Sequence, residues 1–195
     1  AEVQDYAERR VRAAIAVLPD GTYRGEDAMD DVWGEGRPLP VRATVTVKGD
    51  ELAVDFAGTA YQVGCHVNAP FASTVSATLS CLKAVLTGPD VPFNEGAKRP
   101  ITVTAPLGSL LNPRHPAPVR ARMNSAYRAY GAVMRALGRA APDRVVAQGF
   151  DTTWAAALSY LSPTGYRVHL DILGGGNGAG VADGCDAVDG PLSNC

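Results

Sequence analysis

Four stretches of the chain carry side chains whose types and spacing could do chemistry. Cys65, His66 and Asn68 place a thiol, an imidazole and an amide within four residues, the groups on which a thiol nucleophile draws. Neighbours in an extended chain point to opposite faces, so Cys65 and His66 are poorly placed to pair, and the sequence supplies no third, orienting group. Glu26, Asp27, Asp30 and Asp31 cluster carboxylates of the kind that bind hard cations. Their spacing matches no calcium loop, and they read as solvated surface charge. The run Gly174-Gly175-Gly176-Asn177-Gly178-Ala179-Gly180 could cradle an anion on backbone N–H groups. It lacks the Gly-Lys-Ser/Thr ending of a phosphate loop and no apolar helical pattern follows it, so the chain alone is expected to bind no ATP. Close backbone packing or a mobile active-site loop suits the run better. The fourth stretch, residues 94–113, reads as loop, short strand and loop, with Pro100 and Pro106 fencing the β-branched run Ile101-Thr102-Val103. A strand so short needs a sheet beside it.

Elements that could position these groups follow from hydrophobic spacing. Ala7, Val11, Ala14, Ile15 and Leu18 form one helical stripe over residues 4–17, with Arg9, Arg10 and Arg12 as a solvated face. Pro19-Asp20-Gly21 stops that helix, and Thr22-Tyr23 begins a strand. Val41, Ala43, Val45 and Val47 alternate with polar residues, as do Leu52, Val54 and Phe56 after them. A two-residue loop at Gly49-Asp50 puts Val47 opposite Leu52, Val45 opposite Val54 and Ala43 opposite Phe56, all on one buried face. Ser73 or Thr74 is the expected cap of a helix carrying Val75, Leu79, Leu82 and Leu86, which ends at Thr87-Gly88-Pro89. A further helix carries Met123, Tyr127, Tyr130, Met134 and Leu137 as a core stripe and closes at Gly138 and Pro142. Residues 152–161 and 166–173 read as a hairpin joined by Ser162-Pro163-Thr164-Gly165, with Tyr166, Val168, Leu170 and Ile172 alternating against Arg167, His169 and Asp171. His169, on the polar face, reads as a surface or cross-strand residue. Helix, hairpin, helix, strand, helix, hairpin shows no regular β-α-β alternation. The expectation is an α+β fold, a mixed or antiparallel sheet with packed helices in a single domain.

The 195 residues suffice for one substantial core. With 46% apolar and 19% charged residues the composition is that of an ordinary globular protein, and a net charge of −2 gives no footprint for nucleic acid. No apolar run approaches the ~20 residues of a membrane span, and the first 18 residues carry charge throughout, so neither membrane nor leader is expected and the cytoplasm is the default compartment. Cys65, Cys81, Cys185 and Cys195 form no Cys-x-x-Cys pair, which argues against a zinc site, a redox dithiol or a disulfide framework. Cys81 reads as a small core hydrophobe.

Four blocks, LPDGTYRGEDAMDD, VDFAGTAYQVGCHVNAP, NEGAKRPITVTAPLGSLLNPRHPAPV and GGGNGAGVADGCDAV, stand in an order and spacing that resembles the hydantoinase B/oxoprolinase family. The resemblance covers nearly the whole chain, over residues 1–195, as the C-terminal part of a hydantoinase B-type subunit, and points to the same α+β class. His66 departs from the family pattern, where a proline is usual nearby. The resemblance implies part of an ATP-dependent amidohydrolase, of hydantoinase or oxoprolinase type, acting on a cyclic amide. Phosphorylation of the substrate oxygen would create a leaving group and water would then attack. A related ATP-dependent ketone carboxylase and a non-catalytic scaffold or interface subunit are the alternatives. The implied partners are a hydantoinase A-type subunit, which handles ATP with Mg, and the upstream half of the B-type subunit, which holds a divalent metal. No cofactor or metal is expected in this chain itself. The implied site residues are Asn68, Asn94, Arg99, Asn112 and Asp183, polar groups on loops inside the matched blocks, with no base assigned among them. The segment Leu107 to Val119, bearing Leu107, Leu110, Leu111 and Val119 among three prolines, is expected to offer apolar surface to a partner.

Overall fold

The phase change across Gly49-Asp50 folds the chain back on itself. In the computed structural model, strands β2 (Leu39–Lys48) and β3 (Glu51–Asp55) pair antiparallel, with Val47 opposite Leu52 and Val45 opposite Val54. Gly49 takes the left-handed φ of +59° that the turn needs, and Asp20 Oδ1 accepts its N–H at 2.8 Å. Val41, Ala43, Val45, Val47, Leu52, Val54 and Phe56 all lie in one buried cluster, as the alternation requires. The structure describes residues 1–32, 36–149 and 154–173. The glycine run and Asp183 lie outside the described residues. No helix among those described is long and apolar enough to cross a membrane.

Strand β1 (Gly21–Met29) pairs antiparallel with β2 along its whole length, and β4 (Ile101–Thr104) joins β3 in parallel, giving a mixed sheet of order β1-β2-β3-β4. The strand foreseen at Thr22-Tyr23 therefore runs on into the acidic cluster, over Glu26 and Asp27, and ends before Asp30. Its alternation turns Asp27 inward, only 6% exposed, while Glu26 faces solvent. The reading of that cluster as solvated charge fails at Asp27, whose Oδ1 accepts its neighbour Ala28 N–H at 2.8 Å and stands 3.1 Å from Arg135 Nη1.

Helix α1 (Glu2–Ile15) buries Ala7, Val11 and Ile15, the expected stripe. Arg9 stays in solvent, but Arg10 pairs with Asp90 at 2.9 Å and Arg12 with Glu8 at 3.0 Å, so that face is an ionic surface. Helix α2 (Phe71–Leu86) begins before the expected cap, with Pro70 at its N-cap and no side-chain cap bond. Thr74 lies inside it, buried, and donates to the Leu111 carbonyl at 2.7 Å. A single turn, α3 (Glu95–Lys98), falls where only a loop was expected.

Helix α4 (Arg122–Leu137) shows where side-chain size overrides the apolar pattern. Met134 and Leu137 are buried as expected, but Met123 is exposed and Tyr127 and Tyr130 are half-buried. The packed face is instead Ala126, Ala129, Ala132, Val133 and Ala136. The reason is backbone proximity to β1: a Cβ added at Gly25 would stand 2.0 Å from the Ala132 carbonyl oxygen and 2.6 Å from Ala136 N. Only small residues fit at such an approach.

By its internal contacts the chain divides into two compact units, Ala1–Val145 and Val146–Cys195. In the second, β5 (Trp154–Ser162) and β6 (Gly165–Leu173) form the foreseen hairpin, with the loop tightened to Pro163-Thr164. Its register puts Leu161 opposite Tyr166 and Leu158 opposite His169.

Candidate functional site

Asn68 is the node of the region that the second and third sequence blocks build. Its carboxamide is fully buried, and both its oxygen and its nitrogen bond to the backbone. Oδ1 accepts Val63 N–H at 2.8 Å, and Nδ2 donates to Val63 O at 2.8 Å, Cys65 O at 3.0 Å and Pro118 O at 2.9 Å. One side chain thus fixes the loop from Tyr61 to Pro70 and ties it to the loop that follows β4. Backbone bonds complete the seam: Gln62 N–H to Gly108 O, Leu110 N–H to Ala60 O, Ala69 N–H to Leu110 O and Ala121 N–H to His66 O, all 2.8–2.9 Å. Ser125 Oγ on α4 donates to Val67 O at 2.6 Å.

Asn112 works within the same seam. Its Nδ2 donates to Ala105 O at 2.9 Å, and its carbonyl accepts Gly108 N–H at 2.8 Å, closing the turn that carries Leu110 and Leu111. That closure buries both leucines completely, which corrects the expectation that residues 107–119 form an exposed apolar segment. Of its four large apolar residues only Leu107 stands out, 62% exposed. Ser109, just before them, is 3% exposed and its hydroxyl has no hydrogen-bond partner among the described residues.

Asn94 and Arg99 lie at the other end of β4, against α1. Asn94 is the N-cap of α3, accepting Gly96 N–H at 2.8 Å and Ala97 N–H at 3.3 Å. A Cβ at Gly96 would stand 1.9 Å from the Gln4 carbonyl oxygen, so α3 meets α1 backbone to backbone. Arg99 Nη1 completes the junction with Asp5 and Glu8, each at 2.8 Å. Its hydrogen bonds hold both carboxyls below their ordinary range, and the pair in turn raises Arg99. The sequence-derived residues therefore fall into two groups: Asn68 with Asn112 at the seam, and Asn94 with Arg99 at the α1–α3 junction.

Chemically, the seam is a hydrogen-bonded frame that leaves Tyr61, His66, Arg114 and His115 exposed on its two loops. The Asn68 amide is unavailable to orient an imidazole, because its hydrogen atoms already serve three carbonyls. Cys65 is a half-buried free thiol; Cys81 is the expected core thiol, and burial pushes its pKa well up. Among the described residues no three His, Cys, Asp or Glu side chains gather as a metal site requires, so they do not fit a metal ion and no step is derived through one.

Sequence reasoning missed a second region. Arg24, Arg42, Arg135 and Arg139 line an open cleft of about 660 Å³ beside β1 and β2. The readable signals were the outward phase of Arg24 and Arg42 in adjacent strands and the one-turn spacing of Arg135 and Arg139.

Known proteins share this architecture. A protein from Pseudomonas sp. (strain NS671), assigned as the B-type subunit of a D-/L-hydantoinase, is 38% identical over 199 residues, spanning 96% of this chain and 33% of that protein. The crystal structure of ATP-dependent caprolactamase from Pseudomonas jessenii superposes with a TM-score of 0.83 at 29% identity, covering 98% of this chain and 34% of that one. A nucleotide-free acetone carboxylase structure shares the fold, with a TM-score of 0.81 at 17% identity over 96% of this chain and 28% of that one. The chain spans about a third of the length of these relatives. The family model for hydantoinase B/oxoprolinase matches residues 1–195, and the chain belongs to that family.

Proposed function

We propose that this chain is part of a hydantoinase B-type subunit in an ATP-dependent amidohydrolase that opens a cyclic amide. The observation that carries the reading is the match along nearly its whole length to a hydantoinase B-type protein and to a caprolactamase. Hydantoins and caprolactam share one reacting group, a ring amide. A ring amide resists water because its carbonyl is resonance-stabilised, and ATP supplies the activation of that oxygen. In this proposal a hydantoinase A-type partner handles ATP with Mg, and the upstream half of the B-type subunit provides the divalent metal. The assembly works in the cytoplasm as a hetero-oligomer.

This chain contributes the frame. Asn68 and Asn112 act as positioning residues that hold the two loops at fixed spacing, so that exposed groups on them meet substrate without reorganisation. Asn94 and Arg99 fix α3 to α1 and thereby anchor the start of β4. The 17% likeness to acetone carboxylase is a likeness of fold and favours no carboxylation reading.

The test is ring opening by the protein at its natural length, co-purified with an A-type partner, with hydantoin, 5-oxoproline and caprolactam. ATP-dependent release of an open-chain carboxylate, with ADP formed in step, is expected. Absence of ring opening, accompanied by ATP-dependent carboxylation of a ketone, would overturn the hydrolase reading.

A further inference from the structure

We propose that the arginine-lined cleft between the β1–β2 surface and the end of α4 is a binding site for a small phosphate-class oxyanion. Four guanidinium groups, Arg24, Arg42, Arg135 and Arg139, line it, with Glu26 as the one carboxylate among the described residues on its wall. Counting the buried Asp27 behind Arg135 as well, four positive charges meet two negative ones. A local surplus of two positive charges therefore sits in a chain whose net charge is −2.

The surplus is unevenly held, and that unevenness is what a ligand would use. Arg135 is fixed: its Nη1 donates to Glu26 O at 2.6 Å and stands 3.1 Å from Asp27 Oδ1. Arg42 leans on Glu26, with Nε 3.4 Å from Oε1, a long and exposed pair. Arg24 and Arg139 have no carboxylate partner among the described residues. Two arginines are thus steadied by the protein while two are left to meet an anion. Planar guanidinium forks match the oxygen geometry of a phosphate, and bidentate pairs of this kind are roughly twice as strong as neutral hydrogen bonds.

Shape decides between a small anion and a protein partner. A cleft of about 660 Å³ lies in the range of small-molecule sites, whereas acidic protein surfaces dock on flatter ground. Gly58, at φ +86°, lines the cleft too, and a Cβ there would press on Arg42 Cδ at 3.3 Å, so the wall is bare where that arginine stem lies. The site stands independently of the amidohydrolase reading, since it uses none of the seam residues.

The experiment is calorimetric titration of inorganic phosphate, and separately phenyl phosphate, into the protein at its natural length and constant ionic strength. Saturable binding is expected, weakened at least ~10-fold by Arg24→Ala or Arg139→Ala and abolished by Arg139→Glu. Both positions are exposed, so unchanged melting temperatures should accompany the loss. Tighter binding of the ester identifies an organic phosphate as the ligand, and equal or tighter binding of the free ion identifies inorganic phosphate; either supports the site. Binding that survives the Arg24→Ala/Arg139→Ala double variant overturns the proposal. So does the absence of phosphate binding, including the case in which only a polyglutamate peptide binds.

Discussion

Replacing Asn68 by alanine removes four hydrogen bonds at once and strands Val63 N–H and the carbonyls of Val63, Cys65 and Pro118. A typical intramolecular hydrogen bond contributes about 0.5–1.5 kcal/mol net, and a buried backbone group left unpaired costs more. Four such bonds would sum to about 2–6 kcal/mol. Water can reach part of the Tyr61–Pro70 loop once it loosens, so the expected loss is about 3–4 kcal/mol, near 10 °C in melting temperature for a chain of this size. Asn68→Asp is the sharper probe. It keeps the acceptor for Val63 N–H but replaces the donor with an oxygen facing three carbonyls. An ionised carboxylate there is more destabilising than alanine, whereas a protonated one can still donate a single bond. The pKa of the introduced carboxyl must therefore rise on folding, and the deficit relative to the native protein should widen as pH climbs above the ordinary carboxylate value. Urea unfolding of both variants between about pH 4 and 8 measures this. An Asn68→Ala loss under about 1 kcal/mol, or an Asn68→Asp deficit flat with pH, would refute the view that this amide clamps the two loops.

Gly25→Ala should destabilise the protein by about 3 kcal/mol or more, because its Cβ would collide with the Ala132 and Ala136 backbone; a melting temperature equal to the native one would show that α4 does not rest there. Ser109→Ala should be neutral or stabilising by about 1 kcal/mol, since it deletes a buried hydroxyl with no partner among the described residues; marked destabilisation would refute this. Arg99→Met should return the depressed Asp5 and Glu8 titrations upward, as NMR of the carboxyl carbons reads directly. The stability that this pair lends the native protein is present at neutral pH and fades as pH falls through the two lowered values, so the variant should lose less on acidification.

The hairpin β2–β3 was legible because its information is local: a period of two, a phase change and a turn. Helix α1 was legible for the same reason, one apolar stripe on a sequence-local period. Helix α4 was legible as a helix but not in its facing. Tyr127 and Tyr130 are far larger than Ala129 and Ala132, yet the alanines face the sheet because Gly25, far earlier in the chain, lets the two backbones touch. Nothing near α4 in sequence states that. Asp27 misled in the same way: the strand expected to begin at Thr22-Tyr23 ran on to Met29 and turned one carboxylate inward, where Arg135 could meet it.

The stretches around Asn68 and Asn112 were legible as loops, and the hydrogen bonds they make explain why residues of catalytic type fill them. Asn is the residue that can both accept from an N–H and donate to carbonyls through one planar group, which is what an irregular loop with unpaired backbone groups demands. Asn68 and Asn112 meet that demand at the seam, and Asn94 meets a related one at the start of α3. The first block does parallel work: Asp20 holds the β2–β3 turn, Tyr23 donates to Pro19 O at 2.8 Å and Gly25 admits α4. A side chain whose polar atoms are already committed to the backbone cannot also reorganise around a substrate. Side chains that remain accessible on the clamped loops, such as His66, Arg114 and His115, keep that freedom. The sequence pattern thus marks the rigid support more clearly than the groups it supports, and activity assays should treat the asparagines as determinants of geometry and the exposed loop residues as the ones able to touch a ligand.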